Sequence, residues 1–284
     1  MLPQIQDTVW AFDCEWVPDP DAGRKLYNLP SDLPDAAVVQ EMWKRGGATE
    51  EDPYPFLKTI LCRVVSIAVV QRRVKDGKRS VSLLWLPRDP SDPSQTDESK
   101  IVGTFLEAIG RHHPQLVGFN SQASDLRVLV QRAVVKGNAV PDFFRRPGKP
   151  WDGMPDYLAR SNQNAWNVDL MELVSGWGSR GAVSLHELAV LSNIPGKFQS
   201  EGHQVALLWL AGQWKAIVDY NCCDAVTTYL LWLRLAYITG QLTKEQYEDE
   251  QEEVRQVLMD EAERSHGGWA EAYLEEWDRL ELGA

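Results

Sequence analysis

The alternation of apolar runs with turn-forming residues along the chain predicts an α/β protein. Residues 8–16 form a short run rich in apolar and aromatic residues that leads straight into a turn-forming stretch, which is typical of a buried strand. Two further β-rich runs, 61–73 and 80–87, flank the turn-like residues Asp76 and Gly77 and predict a β-hairpin. The chain therefore opens with three predicted strands.

After the hairpin, helical and extended patterns alternate. Within residues 100–112 the apolar side chains of Ile101, Phe105 and Ile109 fall on one face of a helix. The elements predicted downstream are a strand at 115–120, a helix capped by Ser121 or Ser124, a strand at 165–174, and helices at 184–192 and 214–237. This order predicts a mixed sheet that is covered by helices.

Two irregular stretches and an acidic C-terminus interrupt this pattern. Residues 18–59 and 138–164 lack clear periodicity and are longer than simple connections, so we expect them to be insertions, the first of them functional or partly mobile. Residues 241–284 are rich in helix formers and acids, which is compatible with a solvent-facing helix or with a disordered tail. We expect one elaborated domain over residues 1–240 and an acidic extension over 241–284.

Composition excludes several classes of protein. No apolar run is long enough for a membrane span, and the N-terminus lacks the basic and apolar regions of a signal peptide. The cysteines include no CxxC pair, which argues against a zinc ribbon or a disulfide framework and favours a reducing compartment. We expect a cytoplasmic protein that has no membrane partner.

The net charge of −12 is unevenly distributed. Residues 241–284 hold fourteen acidic and four basic residues, so most of the negative charge lies there. Residues 111–149 hold seven basic residues against two acids. This basic stretch is either a solvated face or a patch that steers an anionic substrate, and the sequence leaves both interpretations open.

Acidic side chains occur at positions that could form a metal site. Asp13 and Glu15 lie two residues apart on a predicted strand, so both leave the same face. Asp125 begins a predicted helix, and Asp224 follows Tyr220 by one helical turn. Each signal alone is also common in ordinary structure. Together they supply the several carboxylates from different elements that a two-metal phosphodiesterase site needs.

Three strings of the sequence resemble the exonuclease motifs of DnaQ-like, DEDDy-type nucleases. They are FDCEW at 12–16, VGFNSQASDLRVL at 117–129 and YNCCDAVTTYLL at 220–231. The segment SLHELAVLSNIPGK at 184–197 resembles the connecting segment of predicted exonucleases related to the proofreading domain of family B DNA polymerases. The resemblance covers roughly residues 9–235.

This resemblance implies a role for each motif residue. Asp13 would bridge two divalent ions, Mg²⁺ or Mn²⁺, and Glu15 and Asp224 would complete the protein ligands of the first ion. Asp125 would serve the second ion, directly or through water. Tyr220 would orient the attacking water. All five would be catalytic residues.

The resemblance also implies a subtype and candidate substrate contacts. The sister DEDDh group carries a histidine where this chain has Asp219, so the tyrosine subtype is implied. Trp16 stands where the polymerase relatives carry threonine, and Ser124 and Arg127 replace an aromatic residue and a proline of the second motif. The candidate substrate contacts are Trp16, Asn120, Arg127 and Lys197.

The fold implied is α/β and ribonuclease H-like, with a mixed sheet whose first three strands are antiparallel and whose later strands are parallel. The activity implied is metal-dependent 3′-to-5′ hydrolysis of single-stranded nucleic acid, with DNA favoured over RNA, to nucleoside 5′-monophosphates. The expected partner is the 3′ end of a single strand, and the sequence names no protein partner. Two alternatives remain: a catalytically weak binding or assembly module on the same fold, and a phosphodiesterase for short oligonucleotides.

Overall fold

The computed structural model describes residues 2–146, 148–149, 155–159, 164–176, 183–196, 202–266 and 268–283. Within these residues, five strands form one mixed sheet in the order β3-β2-β1-β4-β5. The strands are β1 (Thr8–Pro18), β2 (Cys62–Lys75), β3 (Lys78–Leu86), β4 (Gln115–Gly118) and β5 (Asn167–Asp169). The first three pair antiparallel, and β4 and β5 run parallel to β1. The expected α/β fold with a mixed ribonuclease H-like sheet is confirmed.

Helices cover the sheet and connect its strands. The early ones are α1 (Pro20–Tyr27), α2 (Asp35–Arg45), α3 (Glu98–His112), α4 (Asp125–Lys136) and α5 (Pro141–Phe144). The later ones are α6 (Leu170–Ser175), α7 (Leu185–Leu191), α8 (Gly202–Leu210), α9 (Trp214–Ile238), α10 (Lys244–Ser265) and α11 (Trp269–Leu282). No helix in the described ranges is long and apolar enough to cross a membrane.

Side chains of β1 alternate between two hydrophobic cores because successive residues of a strand point to opposite faces of the sheet. Val9 and Ala11 pack in one core with the long helix α9. Trp10 and Phe12 pack in the other core with α3 and α4. Helix α9 is buried along most of its 25 residues, so it forms a rigid support for whatever the sheet presents to it.

The first insertion is more ordered than its sequence indicated. Residues 18–59, which we expected to be irregular, contain α1 and α2. Val38, Val39, Met42 and Trp43 are buried, and their spacing of one turn is that of an amphipathic helix. The periodicity was missed because Pro and Gly residues flank short helices on both sides.

The final strand is shorter than expected. Extended structure covers only Asn167–Asp169, and the chain then turns into α6. Asp169 causes this change because its carboxylate accepts hydrogen bonds from the backbone N–H groups of Met171 and Glu172 and so caps the helix.

The acidic C-terminal residues form α10 and α11, which pack on β3 and α9. A buried ionic network fixes α10 to the sheet. Glu250 accepts a hydrogen bond from Arg72 Nε at 2.8 Å, forms an ion pair with Arg79 and accepts from the hydroxyl of Tyr229. The acidic segment therefore uses one of its carboxylates inside the protein rather than in solvent.

A second buried network removes Arg132 from the basic stretch of residues 111–149. Arg132 is fully buried and donates to both oxygens of Glu98, at 2.6 and 2.7 Å, and to Asp19 at 2.6 Å. Lys136 forms an ion pair with the same Glu98 carboxylate. These two cations neutralise internal acids, so the stretch presents less positive charge to solvent than its sequence indicated.

Candidate active site

The carboxylates of Asp13, Glu15 and Asp224 converge at the end of β1. Each offers an oxygen, and these oxygens all lie within 4.8 Å of one another. Asp13 and Glu15 continue the face of β1 on which Val9 and Ala11 pack against α9, and Asp224 projects from α9 itself. The sequence-based expectation that these side chains could meet therefore has a simple basis in strand alternation and helix packing.

The end of β1 extends beyond one of its two neighbouring strands. Pairing with β4 stops at Ala11, whereas pairing with β2 continues to Pro18, with a β-bulge between Glu15 and Trp16. Backbone groups of β1 beyond Ala11 thus lack a strand on the β4 side. A bulge at this point re-aims the following side chains, a feature often found beside active sites.

Tyr220 lies one turn before Asp224 on α9 and is 7% exposed. Its hydroxyl is hydrogen-bonded to Asp224. Burial raises the pKa of this phenol well above its usual range, and the charges of Asp224, Glu15 and Asp13 raise the pKa further. Tyr220 therefore stays protonated at neutral pH and can donate a hydrogen bond but cannot act as a base.

Asp125 is bonded to the backbone of β1 between Asp13 and Glu15, but it does not join the group of three clustered carboxylates among the described residues. It is the first residue of α4 and is 4% exposed. Its Oδ1 accepts a hydrogen bond from the N–H of Cys14 at 3.1 Å, and its Oδ2 accepts from the hydroxyl of Ser124 at 2.8 Å. The carboxylate thus takes the place of the missing β4 partner beside Asp13.

Burial raises the pKa of Asp125 from 3.8 to about 7. A carboxyl group whose pKa is higher in the folded than in the unfolded protein lowers stability as the pH rises between these two values. We therefore expect Asp125→Asn to raise the melting temperature of the metal-free protein at pH 8. At pH 4, where both proteins carry a neutral group, the difference should largely vanish. Thermal unfolding in a chelator at both pH values measures it, and equal melting temperatures at pH 8 would contradict the expectation.

The loop before α4 depends on a buried acid that sequence reasoning missed. Asp169, at the end of β5, accepts hydrogen bonds from the backbone N–H groups of Asn120 at 2.9 Å and Gln122 at 3.0 Å. Asn120 adopts a left-handed conformation with φ of 61°. The available signal in the sequence was an aspartate directly before a helical pattern, which is typical of a helix N-cap. The strand predicted at 165–174 runs through this position and hid that signal.

A second missed contact orients Asp13. Asn221, next to Tyr220 on α9, donates from Nδ2 to Asp13 Oδ2 at 2.6 Å and accepts from the hydroxyl of Ser66 at 2.9 Å. The signal in the sequence was Ser66, a polar residue within the apolar run 64–70. A buried polar residue needs a partner, but the sequence does not say which one.

The candidate substrate contacts lie in different places. Trp16 lines a cleft of about 260 Å³ with aromatic residues of the first insertion. Asn120 precedes Asp125 in the loop held by Asp169, and Arg127 lies exposed on α4 beside a separate cleft that Tyr157 lines. Lys197 falls outside the described residues.

The clustered carboxylates suit a hard divalent cation. Mg²⁺ and Mn²⁺ prefer oxygen ligands, and carboxylates from separate elements can approach an ion from several directions. Without a cation, three carboxylates at this distance repel one another. The site is therefore chemically matched to divalent metal ions, and it offers no sulfur or imidazole ligand in the described cluster.

Comparison with known proteins identifies a family for the chain. None of the curated proteins matches the chain significantly. A family model described as a predicted 3′-5′ exonuclease related to the exonuclease domain of PolB matches residues 54–277. This range includes Asp125, Tyr220 and Asp224, and begins after the strand that carries Asp13 and Glu15. Because the match spans more than half of the residues of the chain, the chain belongs to this family of predicted 3′-5′ exonucleases related to the PolB exonuclease domain.

Proposed function

We propose that this protein is a two-metal-ion 3′-to-5′ exonuclease of the DEDDy type. The observation that carries the proposal is the convergence of Asp13, Glu15 and Asp224 within 4.8 Å at the end of β1. Membership of the exonuclease family supports phosphodiester hydrolysis as the reaction. The products would be nucleoside 5′-monophosphates released from a 3′ end.

Each side chain receives a role from its surroundings. Asp13 is assigned as the ligand shared by two ions because the resemblance to DEDDy-type exonucleases implies it, and its distance of no more than 4.8 Å from the oxygens of Glu15 and Asp224 is consistent with that role. Asp125 is assigned to the second ion through water, since its own oxygens are hydrogen-bonded to Cys14 and Ser124. Divalent ions held here would stabilise charge on the phosphate and lower the pKa of the attacking water.

Tyr220 is assigned to orienting the water. Its hydroxyl remains protonated at neutral pH and is anchored by the hydrogen bond to Asp224. A fixed donor beside the carboxylates can hold a water molecule in one orientation toward the phosphorus atom. The proton released by that water has to leave through another acceptor, because the phenol is already protonated.

The cleft beside Trp16 supports a single-stranded substrate. Trp16 directly follows Glu15, and the cleft is also lined by Trp43, Tyr54 and Phe56 from the first insertion. Phe56 is 90% exposed, so its ring is accessible from solvent. Unpaired bases stack on such aromatic side chains without sequence preference.

Phe56→Ala is expected to raise KM for a single-stranded oligonucleotide by about tenfold, because stacking on one aromatic residue contributes ~1–3 kcal/mol per base. The value of kcat should change little, since Phe56 lies outside the carboxylate group. Phe144→Ala, which removes another exposed phenylalanine on α5, is the matched control and should leave KM unchanged. Equal KM values for the two variants would show that Phe56 and its cleft do not bind the substrate.

One substrate panel tests the proposed function. Oligonucleotides of DNA and RNA labelled at the 5′ end are incubated with Mg²⁺ or Mn²⁺, beside an Asp13→Ala/Glu15→Ala variant. We expect stepwise shortening from the 3′ end by the wild type, with DNA favoured because the family is related to the PolB exonuclease domain. Binding without shortening would instead favour a nucleic-acid-binding or assembly module, and cleavage restricted to very short substrates would favour an oligonucleotide phosphodiesterase.

The division into a domain at 1–240 and an extension at 241–284 stays a prediction, as does the cytoplasmic location. The family match continues to residue 277, and Glu250 of α10 is bonded to Arg72 of β2. We therefore propose that the C-terminal helices brace the exonuclease domain. Their position against β3 and α9 places them beside the helix that carries Asp224.

A further inference from the structure

A chain of buried polar groups runs from β2 through α9 to Asp13. Ser66 Oγ donates to Asn221 Oδ1 at 2.9 Å, and Asn221 Nδ2 donates to Asp13 Oδ2 at 2.6 Å. Ser66 and Asn221 are both 0% exposed, whereas Asp13 is only partly buried. The chain therefore ends at the carboxylate that faces the candidate metal site.

The chemistry of the three groups fixes the orientation of the Asn221 amide. An ionised carboxylate can only accept hydrogen bonds, so the amide nitrogen has to face Asp13. The amide oxygen then faces Ser66, whose hydroxyl can donate to it. Rotation of the amide by a half-turn would place its oxygen against the Asp13 carboxylate and break the favourable contact.

The backbone determines where these groups lie. Ser66 is opposite Glu15 in the β1–β2 register, on the strand next to the candidate ligands. Asn221 lies between Tyr220 and Asp224 in sequence, on a stretch of α9 that is almost entirely buried. Leucine at this position would fill the same space without the cost of burying an amide. The polar pair is thus best explained by what it does to Asp13.

We infer that Asn221, held by Ser66, is a positioning residue that fixes the rotamer of Asp13 for metal binding. This inference rests on the proposed function of the carboxylate cluster. A charge-assisted hydrogen bond to one oxygen of Asp13 holds the carboxylate plane in place. If the carboxylate plane is already fixed in the metal-free protein, less conformational entropy is lost when an ion binds. Hydrogen-bond partners of metal ligands have this orienting role in other metal sites.

The test compares metal affinity in Asn221→Leu, Ser66→Ala and the double variant with that of the wild type. Isothermal titration calorimetry with Mn²⁺ on the full chain is expected to show about 10–100-fold weaker binding for Asn221→Leu. Ser66→Ala should weaken binding less, because the Asn221 amide remains. Since Ser66 acts only through Asn221, the double variant should bind Mn²⁺ no more weakly than Asn221→Leu alone.

Control measurements separate positioning from folding and from the proposed function. Metal-free melting temperatures show whether each variant is folded; if Asn221→Leu does not fold, Ser66→Ala decides by the same titration. Unchanged Mn²⁺ affinity in a folded Asn221→Leu protein overturns the positioning role while leaving a metal-dependent wild type intact. A wild type that binds no Mn²⁺ overturns both the inference and the proposed function.

Discussion

Asp13→Ala is expected to abolish exonuclease activity and also the stabilisation of the fold by divalent ions. An oxygen of Asp13 lies within 4.8 Å of an oxygen of Glu15 and of Asp224, so its removal takes away one of the three clustered carboxylates, the one proposed to bind both ions. Metal ions stabilise transition-state charge by several kcal/mol, and we expect a loss of roughly 1,000-fold or more in kcat/KM. Activity is measured as release of nucleoside monophosphates from a labelled single strand.

The stability part of this prediction follows from electrostatics. In the metal-free protein the clustered carboxylates repel one another, and an ion that binds only the folded state stabilises it by about 2.7 kcal/mol at 100 times its Kd. For a chain of this size that is a rise in Tm of roughly 5–10 °C. Asp13→Ala should lose most of this rise.

Helix α9 offers a matched control for the acid substitutions. Asp219 is one residue before Tyr220, but it is paired with Lys215 at 2.6 Å and lines a different cleft, together with Trp85 and Trp214. Asp219→Asn should retain activity and the metal-dependent rise in Tm, whereas Asp224→Asn should lose both. Equal metal-dependent shifts in the wild type, Asp13→Ala and Asp224→Asn would reject a metal site at the end of β1.

The parts of the site that sequence predicted depend on local periodicity. The alternation of a strand places Asp13 and Glu15 on one face, and the pitch of a helix places Tyr220 one turn before Asp224. Their meeting required one further assumption, that α9 packs on the same face of the sheet as these acids. The resemblance of the motifs to exonucleases supplied that assumption. In the structure, α9 does pack on this face, where it forms a core with Val9 and Ala11.

The parts that sequence did not predict depend on long-range register. Ser66 and Asn221 are 155 positions apart, and the hydrogen bonds from Ser66 to Asn221 and from Asn221 to Asp13 form only because β2 pairs with β1 in one register while α9 crosses both strands. Similarly, Arg132 looked like a surface residue of a basic stretch. Its burial follows from how α3, α4 and the end of β1 meet, which no local pattern encodes.

The Arg132 network explains how α4 is held against the sheet. The guanidinium joins Glu98 at the start of α3 to Asp19 just past the end of β1, and Glu98 also accepts from the N–H of Val64 on β2 at 2.8 Å. Asp125 begins the same helix two turns earlier. The network therefore fixes the helix that carries Asp125 relative to the strand that carries Asp13.

Arg132→Met is expected to lower the free energy of unfolding by about 3–5 kcal/mol, because it leaves the buried carboxylate of Asp19 without its arginine and Glu98 with only the partly exposed Lys136 as a cationic partner. Methionine preserves much of the apolar stem, so the loss reflects charge rather than volume. Arg127→Met, on the exposed face of the same helix, is the matched control and should change the value by no more than ~0.5 kcal/mol.

Urea denaturation followed by tryptophan fluorescence measures both Arg132→Met and its control, with the slope m compared to verify that the same transition is observed. Replacing all three partners together, as Asp19→Asn/Glu98→Gln/Arg132→Met, removes the uncompensated charges and should recover much of the stability that Arg132→Met alone loses. If Arg132→Met and Arg127→Met unfold at the same urea concentration, the buried network contributes nothing to the fold. The exonuclease activity of the triple variant gives a second readout. If this variant recovers stability but has poor activity, the charges serve to position α4, and with it Asp125, rather than to stabilise the fold.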